Sequence, residues 1–454
     1  MPAVAHQALP SLVVLAEIAH EVSRDTAWQS RAALHLLDWL GCAARGVESV
    51  QGQAFGHWLQ QQGMGRHPTL AGRRSDSAAA AAYHGALGSV LEMDDIHRSS
   101  ILHPGPVVIP AAMAVAESST SGARLLSGVL AGYEVMIRVG RALGPSHYEL
   151  WHSTATAGCF GAAAAAAVIM GLDARSIAQA MALAGTRGGG LWQVRHESSL
   201  GKSWHMAGAA RDGVAAAQLA ANGLTGPLGI LDGPSGWFAA TAPAAEAGLL
   251  IQPRDKPWLE DVSFKPWPAC RHAHPAMDAL CEALSGAGAA LDPNDVVAVR
   301  VQTYADALRF CDRANPADEA QARFSIQHAL AAWLLWGEAR SAHYTEEAIR
   351  RPEAVALRGR ITVALGVTQQ QRYPAHYGAA LQIECRNGRV LGAELRDCWG
   401  DPARPMSEDA VRRKAVGLMT AADWSPARIE AAVRAIESLP QATDLFALER
   451  ILQP

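Results

Sequence analysis

Three short stretches of the chain, far apart in sequence, gather histidine, lysine and arginine among small and apolar residues. They are residues 94–103, 195–205 and 265–274. Only four of the 39 lysine and arginine residues are lysines, and two of these, Lys202 and Lys265, fall inside the stretches. A lysine supplies a compact charge whose pKa responds to burial, which an arginine does not. The pattern predicts a buried cationic pocket for a small polyanion, in which histidines move protons.

The overall composition favours a small-molecule partner or a second copy of the chain. At 454 residues the chain is too long for one compact core, so we expect about two or three domains. The net charge is -4 and the pI is near 6.5, and no run of like charges occurs. Because nucleic acids and anionic membrane surfaces bind basic patches, this balance argues against both kinds of partner.

Cysteine usage and the apolar segments predict a reducing, cytoplasmic setting without membrane insertion. The seven cysteines are an odd number without a C-x-x-C pair, so neither a disulfide framework nor a zinc knuckle is indicated. The apolar run 9–19 is interrupted by Glu17, which favours an amphipathic helix over a signal peptide. Residues 153–172 lack charge but are rich in alanine and glycine, so we expect a packed core helix rather than a membrane span.

Hydrophobic periodicity divides the chain into a helical part and a part with strands. Up to about residue 250 apolar residues recur at helical spacing, and Gly171 followed by Asp173 predicts a helix end and a new helix start. Beyond residues 239–257, which are rich in alanine, proline and glycine, the period becomes two, and Asn387-Gly388 predicts a hairpin. The predicted strands are residues 296–304, 360–367, 380–386 and 390–395, with a predicted helix at 325–339.

The helical pattern returns near the C-terminus, where Ser425-Pro426 predicts a helix start. The tail should pack on the first part of the chain. We therefore predict a mostly α protein with a large all-helical domain built from both chain ends and a smaller α+β domain. The predicted domains are residues 1–258 with 400–454, and residues 259–399.

Two sequence patterns resemble cofactor-binding motifs but lack residues that those motifs need. Residues 201–203 match the end of a phosphate-binding loop, but His196 stands where that loop needs a glycine. The glycines at 185–190 lack the dinucleotide-binding spacing, so we expect no nucleotide cofactor. We expect no metal either, because Lys265 and Arg271 lie among the histidines and would repel a divalent cation.

Six segments, in order along the chain, carry a distinctive pattern. They include DWLG in an early helix, an acidic segment that runs into His-Pro, and a lysine-containing helix that ends in Gly-Leu-Thr-Gly. Together with His152 and the small-residue helix after it, they cover nearly the whole chain, which resembles the MmgE/PrpD family. The segments are residues 38–41, 91–117, 201–227, 264–280, 324–337 and 400–419.

The resemblance implies a helical domain built from both chain ends, a smaller α+β lid domain, a homodimer, and a cofactor-free site between the domains. Members of this family act on di- and tricarboxylates by removing or delivering a proton next to a carboxylate, with loss of water, loss of CO2 or inversion. Such a carbon is very weakly acidic. A placed base, worth roughly 10²- to 10⁴-fold, therefore needs cationic groups that stabilise the developing charge.

The resemblance also suggests roles for the catalytic candidates. We expect His103 and His152 to be the proton-transfer pair, because an imidazole can hold either protonation state near neutral pH. Lys202 would stabilise the charge that builds on the substrate carboxylate. Asp94 would orient a histidine, or a hydroxyl or amine of the substrate. The residues leave open which histidine is the acid and which is the base.

A second group of candidates is expected to bind substrate. Lys265, Arg271 and His274 would hold the distal carboxylates. Glu92 stands where the family pattern has an aspartate, and His328 stands where it has a tyrosine, so both should alter substrate contacts. The hypothesis requires residues 103, 152, 202 and 274 to meet around a single water-poor cleft.

Three functions are compatible with these residues. The first is a cofactor-independent lyase, a dehydratase or decarboxylase, that acts on a di- or tricarboxylic acid such as 2-methylcitrate or cis-aconitate. The alternative is an epimerase or isomerase of an imino- or amino-dicarboxylate such as iminodisuccinate. A further alternative is a carboxylate-binding protein that has lost catalysis, because Ile96 replaces the family's threonine and His328 its tyrosine.

Overall fold

A computed structural model describes residues 10–197, 199–286 and 291–453. Leu9, at the start of the predicted N-terminal helix, and Ser198, within the second basic stretch, lie outside the described residues. The chain divides into two compact units. The helical unit comprises the described residues up to Val90, Asp94–Val262 and those from Glu408 onward, and the α+β unit comprises Leu91–Met93 and Ser263–Ser407.

Helices make up most of the helical unit. Its short strands are β1 (His67–Pro68), β2 (Arg74–Ser75) and β3 (Ile96–His97), and β4 (Val262–Ser263) lies where the chain leaves the unit. Its helices before that point are α1 (Ser11–Val22), α2 (Gln29–Gly46), α3 (Val50–Gln60), α4 (Ser77–Leu87), α5 (Gly105–Met113), α6 (Gly122–Tyr148), α7 (Ser153–Thr156), α8 (Gly158–Ile169), α9 (Ala174–Gly185), α10 (Lys202–Ala221) and α11 (Trp237–Thr241).

A four-stranded sheet organises the α+β unit. Its strands are β5 (Val296–Thr303), β6 (Ile361–Leu365), β7 (Ala379–Cys385) and β8 (Val390–Leu395), in the order β6-β5-β7-β8. The β5–β6 pair is parallel and the other two pairs are antiparallel. The helices of this unit are α12 (His274–Gly286), α13 (Ala305–Cys311), α14 (Glu319–Arg323), α15 (Ile326–Trp336), α16 (Glu346–Arg350), α17 (Pro352–Arg358) and α18 (Val367–Arg372).

The chain then returns to the helical unit as α19 (Glu408–Ala421), α20 (Pro426–Glu437) and α21 (Phe446–Leu452). Helix predominates and the sheet is small, so the predicted fold class is confirmed: mostly α, with a large helical part built from both chain ends and a smaller α+β part. The predicted strands and the Asn387-Gly388 hairpin are present, and Gly388 has the positive φ of 79° that such turns favour.

Local helix signals also behave as predicted. Gly171 ends a helix with a φ of 80°, a conformation that costs little without a side chain. The Asp173 side chain accepts a hydrogen bond from the backbone N–H of Ser176 and so caps α9. Ser425 caps α20 in the same way, with Pro426 as the first helical residue.

The uncharged alanine-rich segment forms the centre of the helical core. Every residue of α8 is buried, as predicted for this stretch. None of the helices in the described ranges combines the length and the apolar character needed to cross a membrane. Alanine and glycine contribute little apolar area each, so α8 adds to stability mainly because its neighbours can pack close to it.

The DWLG segment joins the two ends of the chain. Asp38 on α2 forms a buried ion pair with Lys414 on α19, with 2.7 Å between Oδ1 and Nζ. Burial raises the pKa of Asp38 to about 6, although Lys414 opposes that shift. A Cβ at Gly41 would lie 2.8 Å from Cα of Ala415, so glycine allows the two helix backbones to approach closely.

Replacing Gly41 with alanine tests this helix contact. The added methyl group would press on the backbone of α19, and we expect the free energy of unfolding to fall by about 1–3 kcal/mol. Gly56 on α3 has nothing within 4 Å of a built Cβ, so the control Gly56→Ala should change stability little or raise it by up to about 1 kcal/mol. Urea denaturation followed by circular dichroism measures both. Equal stability of Gly41→Ala and the wild type would contradict the proposed close packing.

Buried neutral histidines make a second prediction. Burial is the main cause that lowers the pKa of each of six histidines to about 3 or 4, namely His35, His84, His97, His147, His272 and His328. When the protein unfolds at a pH between these values and 6.5, each of these histidines takes up a proton. Stability therefore rises with pH in this window and is lost as the pH falls, by about 1.4 kcal/mol per pH unit per proton. Asp38 acts in the opposite direction with one proton.

We expect the free energy of unfolding to fall steadily from pH 6.5 to pH 4 in urea titrations. In the wild type the backbone N of Leu70 lies 3.2 Å from Nε2 of His84, and His84→Gln keeps an acceptor for this N–H. The variant should reduce the slope of the unfolding free energy against pH by about one proton. His57→Gln, at an exposed position, serves as the control. A pH-independent stability over this window would show that the buried rings do not behave as described.

Candidate active site

The catalytic candidates of the helical unit lie at the ends of three elements. His103 lies two residues before α5, His152 immediately before α7, and Lys202 is the first residue of α10. Asp94, His103 and His152 are buried, and Lys202 is half-buried. Asp94 and His103 are in contact, and the charges of Lys202, His103 and Asp94 are near enough to His152 to influence its pKa, so we treat the four side chains as one cluster.

His103 is held by acceptors on one side of its ring. Its Nδ1 lies 3.0 Å from Oδ2 of Asp94 and 2.9 Å from the backbone carbonyl oxygen of Asp95. Both partners are acceptors, so Nδ1 carries the proton and the lone pair of the neutral ring lies on Nε2. The backbone N–H of His103 donates to Oγ1 of Thr154 at 3.1 Å, which ties this loop to α7.

The surroundings of His152 favour its neutral imidazole form. Burial lowers its pKa well below 6.5, and the nearby charges of Lys202, His205 and His103 lower it further, while Asp94 opposes them. Its ring lies against the indole of Trp192, with 4.2 Å between the ring centroids.

The backbone around His152 is also fixed. Its N–H donates to the carbonyl oxygen of Gly190 at 2.8 Å. Its own carbonyl oxygen accepts from the N–H groups of Ala155 and Thr156 at 2.8 and 3.1 Å, which starts α7. The ring therefore projects from a backbone segment that is hydrogen-bonded on both sides.

The residue of the cluster that sequence reasoning missed is His205. Its Nδ1 lies 3.1 Å from Nδ1 of His152, and it is half-buried. Burial lowers its pKa, and the charge of Lys202 adds to that effect. The sequence did hold a signal, because His205 follows Lys202 at i+3 and so lies on the same face of a helix.

Asp95 anchors the loop that carries His103 through three hydrogen bonds. Its Oδ2 accepts hydrogen bonds from Nδ1 of His35 at 2.8 Å and from the hydroxyl of Tyr133 at 2.7 Å. Its Oδ1 accepts from the backbone N–H of Gly105 at 2.8 Å. One buried carboxylate thus links α2 and α6 to the loop that carries His103.

In the α+β unit, Lys265 and Glu92 form a buried pair. Nζ of Lys265 lies 3.5 Å from Oε2 of Glu92, and Lys265 is fully buried. The backbone at Glu92 has a φ of 54°, which is uncommon for a residue with a side chain. The neighbouring carbonyl oxygen of Leu91 accepts a hydrogen bond from Arg323 at 3.1 Å, which helps to hold this segment.

Arg271 and His274 are engaged with protein groups. The guanidinium of Arg271 forms a buried ion pair with Asp401 and donates to the carbonyl oxygen of Trp399 at 3.0 Å. It also donates to Nδ1 of His274 at 3.1 Å, and Nε2 of His274 donates to the carbonyl oxygen of Ala269 at 3.0 Å. The ring of His274 is therefore neutral and its tautomer is set by these partners. Its role as a substrate ligand stays a prediction.

His328 has a similar environment. Its Nε2 donates to the carbonyl oxygen of His343 at 2.9 Å, and its Nδ1 accepts from Arg358 at 3.3 Å. Burial lowers its pKa to about 4. Its role in substrate contacts also stays a prediction. Across the described ranges, no three histidine, cysteine, aspartate or glutamate side chains are grouped as ligands of a metal ion would be.

Family models match most of the chain. The MmgE/PrpD N-terminal domain matches residues 13–249, and the MmgE/PrpD C-terminal domain matches residues 267–437. The protein therefore belongs to the MmgE/PrpD family, as its motifs predicted.

Characterised relatives with decarboxylase and dehydratase names share much of its length. A cis-aconitate decarboxylase from Homo sapiens is 25% identical over 370 residues, which cover 77% of this chain and 74% of the relative. The enzyme of that name from Mus musculus is 26% identical over 399 residues, covering 82% and 78%. A 2-methylcitrate dehydratase from Cupriavidus necator is 29% identical over 245 residues, covering 51% and 50%. The protein is accordingly an enzyme, a lyase of this family.

The Asp95 network makes a prediction about stability. Asp95→Ala would leave buried donors of His35, Tyr133 and Gly105 without their acceptor, and we expect a loss of about 3–5 kcal/mol in the free energy of unfolding. Tyr133→Phe removes a single donor and should cost about 1 kcal/mol. Urea denaturation compares the two variants. The network would have no special weight if Asp95→Ala were no more destabilising than Tyr133→Phe.

Proposed function

We propose that the protein is a cofactor-independent dehydratase or decarboxylase that acts by proton transfer next to a carboxylate of a di- or tricarboxylic acid. The names of the relatives support cis-aconitate or a 2-methylcitrate-like acid as the substrate class. The observation that carries the proposal is the cluster of two buried imidazoles, a carboxylate and a lysine in the helical unit.

The environments of the two imidazoles suggest how they divide the work. His152 is kept neutral by burial and by nearby positive charge, so it is in the form that accepts a proton. Asp94, 3.0 Å from His103, can stabilise the positive charge on a protonated His103, which is then ready to deliver a proton. We assign His152 as the base and His103 as the acid.

Both lyase reactions can use this arrangement. In a dehydration, His152 takes the proton from the carbon next to a carboxylate, and the hydroxyl leaves with a proton from His103 as water, so that a double bond forms. In a decarboxylation, the bond to the departing carboxylate breaks, its electron pair moves toward the remaining unsaturated acid, and His103 protonates a carbon. Lys202 stabilises the negative charge that builds on the substrate in either case.

The buried pairs of the α+β unit suggest how the remaining carboxylates are recognised. Lys265 places a fully buried ammonium group 3.5 Å from Oε2 of Glu92, and a buried cation of this kind can recognise a carboxylate oxygen. We propose that Lys265, Arg271 and His274 contribute to carboxylate binding and that Glu92 and His328 shape selectivity. We also propose a homodimer in the cytoplasm, where the seven cysteines, which are not disulfide-bonded in the structure, would stay reduced.

Substitution of Lys202 and His103 tests the assigned roles. Lys202→Ala should lower kcat by about 10²- to 10³-fold, because a preorganised cation is lost, and His103→Ala by about 10²- to 10⁴-fold. Lys256→Ala is the matched control, since Lys256 is an exposed lysine paired with Glu260 on the surface. Retained turnover in both site variants would refute the roles.

The assay should identify the reaction as well as its rate. Cis-aconitate and 2-methylcitrate are incubated with the enzyme in deuterated water and followed by NMR. Released CO2 indicates a decarboxylase, and a new alkene without CO2 indicates a dehydratase. Solvent deuterium entering iminodisuccinate without a change of mass balance would indicate an epimerase and overturn the proposal, as would carboxylate binding without any turnover.

A further inference from the structure

Two histidine rings from distant parts of the chain face each other through the same kind of nitrogen. Nδ1 of His152 and Nδ1 of His205 are 3.1 Å apart, a normal hydrogen-bond distance. A hydrogen bond between two imidazole nitrogens needs one N–H donor and one lone pair. At most one of these two Nδ1 atoms can therefore carry a proton, and each ring restricts the tautomer of the other.

The surroundings keep both rings in this neutral pairing. Burial lowers the pKa of both histidines, and the charge of Lys202 lowers both further, so neither ring is driven to the doubly protonated form at pH 7. His205 lies one helical turn after Lys202 on α10, so the two residues share one face of that helix.

The backbone at Gly190 contacts both histidines and helps to fix their relative position. Its carbonyl oxygen accepts the N–H of His152 at 2.8 Å, and a Cβ at this position would lie 3.3 Å from Nδ1 of His205 and 2.9 Å from Cβ of Ala155. Its φ of 121° also favours glycine. The turn therefore fits closely against the Nδ1 side of His205, which leaves that ring little freedom to rotate away.

We propose that His205 is a positioning residue that accepts a hydrogen bond from Nδ1–H of His152 and so leaves the lone pair of His152 on Nε2. This inference rests on the proposed function, because a base needs its lone pair on the nitrogen that faces the substrate. Free imidazole side chains favour the opposite tautomer, with the proton on Nε2. His205 thus imposes on His152 the tautomer in which Nε2 can take a proton.

Three substitutions at residue 205 separate this role from a merely structural one. The amide of asparagine occupies the place of Nδ1 of histidine, whereas the amide of glutamine reaches the place of Nε2. We expect His205→Ala and His205→Gln to lower kcat by about 10- to 100-fold with KM changed less than about threefold, since the tautomer affects the chemical step and not substrate binding. His205→Asn should recover most of kcat. His57→Ala, at an exposed site, controls for general effects.

A second readout does not need turnover. In protein labelled with ¹⁵N-histidine, long-range ¹H–¹⁵N correlations report which nitrogen of each ring carries the proton, and His152→Gln assigns the signals of His152. We expect the Nδ1–H tautomer for His152 in the wild type and in His205→Asn. In His205→Ala the Nε2–H tautomer should predominate.

The outcomes distinguish the two proposals. If no di- or tricarboxylate is turned over but the tautomer of His152 changes in His205→Ala, the positioning role stands and the proposed function fails. The inference is overturned if His152 carries its proton on Nε2 in the wild type, or if His205→Gln recovers kcat as well as His205→Asn. A loss confined to KM would also overturn it, because it would place His205 in substrate binding.

Discussion

The helical unit depends on satisfying a carboxylate buried in an apolar interior. Asp95 is only 3% exposed, and a charge removed from water in this way is tolerated only when hydrogen-bond donors surround it. Donors from α2, from α6 and from the start of α5 converge on its two oxygens. Moving any one of these elements would remove one of the three donors. The loop that carries Asp94 and His103 is therefore fixed by the same interaction that joins the helices.

Close packing between small residues brings the segments that carry His152 and Lys202 near each other. A Cβ on Gly132 of α6 would lie 2.8 Å from the carbonyl oxygen of Gly161 on α8, and one on Gly213 of α10 would lie 2.4 Å from Cβ of Ala162. These backbones approach because side chains are nearly absent at the contacts. Because α8 and α10 pack this closely, the start of α10, with Lys202, lies near the segment before α7 and α8 that carries His152.

The cluster places positively charged groups next to neutral imidazoles. The histidines of the α+β unit differ from those of the cluster in how their ring nitrogens are hydrogen-bonded. His274 and His328 each have both ring nitrogens hydrogen-bonded to protein groups, and these partners set their tautomers. His103 is held through Nδ1 by its carboxylate and carbonyl partners. Under the proposed function Nε2 of His103 would exchange the proton with the substrate, and the contacts at Nδ1 would orient the ring for that step.

The sequence by itself determined the properties that depend on neighbours within a few residues. Apolar periodicity separated the helical part from the part with strands and placed those strands, Asn387-Gly388 placed the hairpin, and Asp173 and Ser425 capped the helices that they precede. The rarity of lysine singled out Lys202, and the ordered motifs identified the family.

Only the tertiary structure decided which polar groups become partners. The pairing of His152 with His205 spans 53 residues and requires the turn at Gly190 between them. The three donors to Asp95 come from separate elements, and Arg271 meets Asp401 across 130 residues. Residue types and spacing carry no record of such contacts. These contacts arise because helices with small residues pack closely. At those distances each buried charge or imidazole has one set of hydrogen-bond partners near enough to contact.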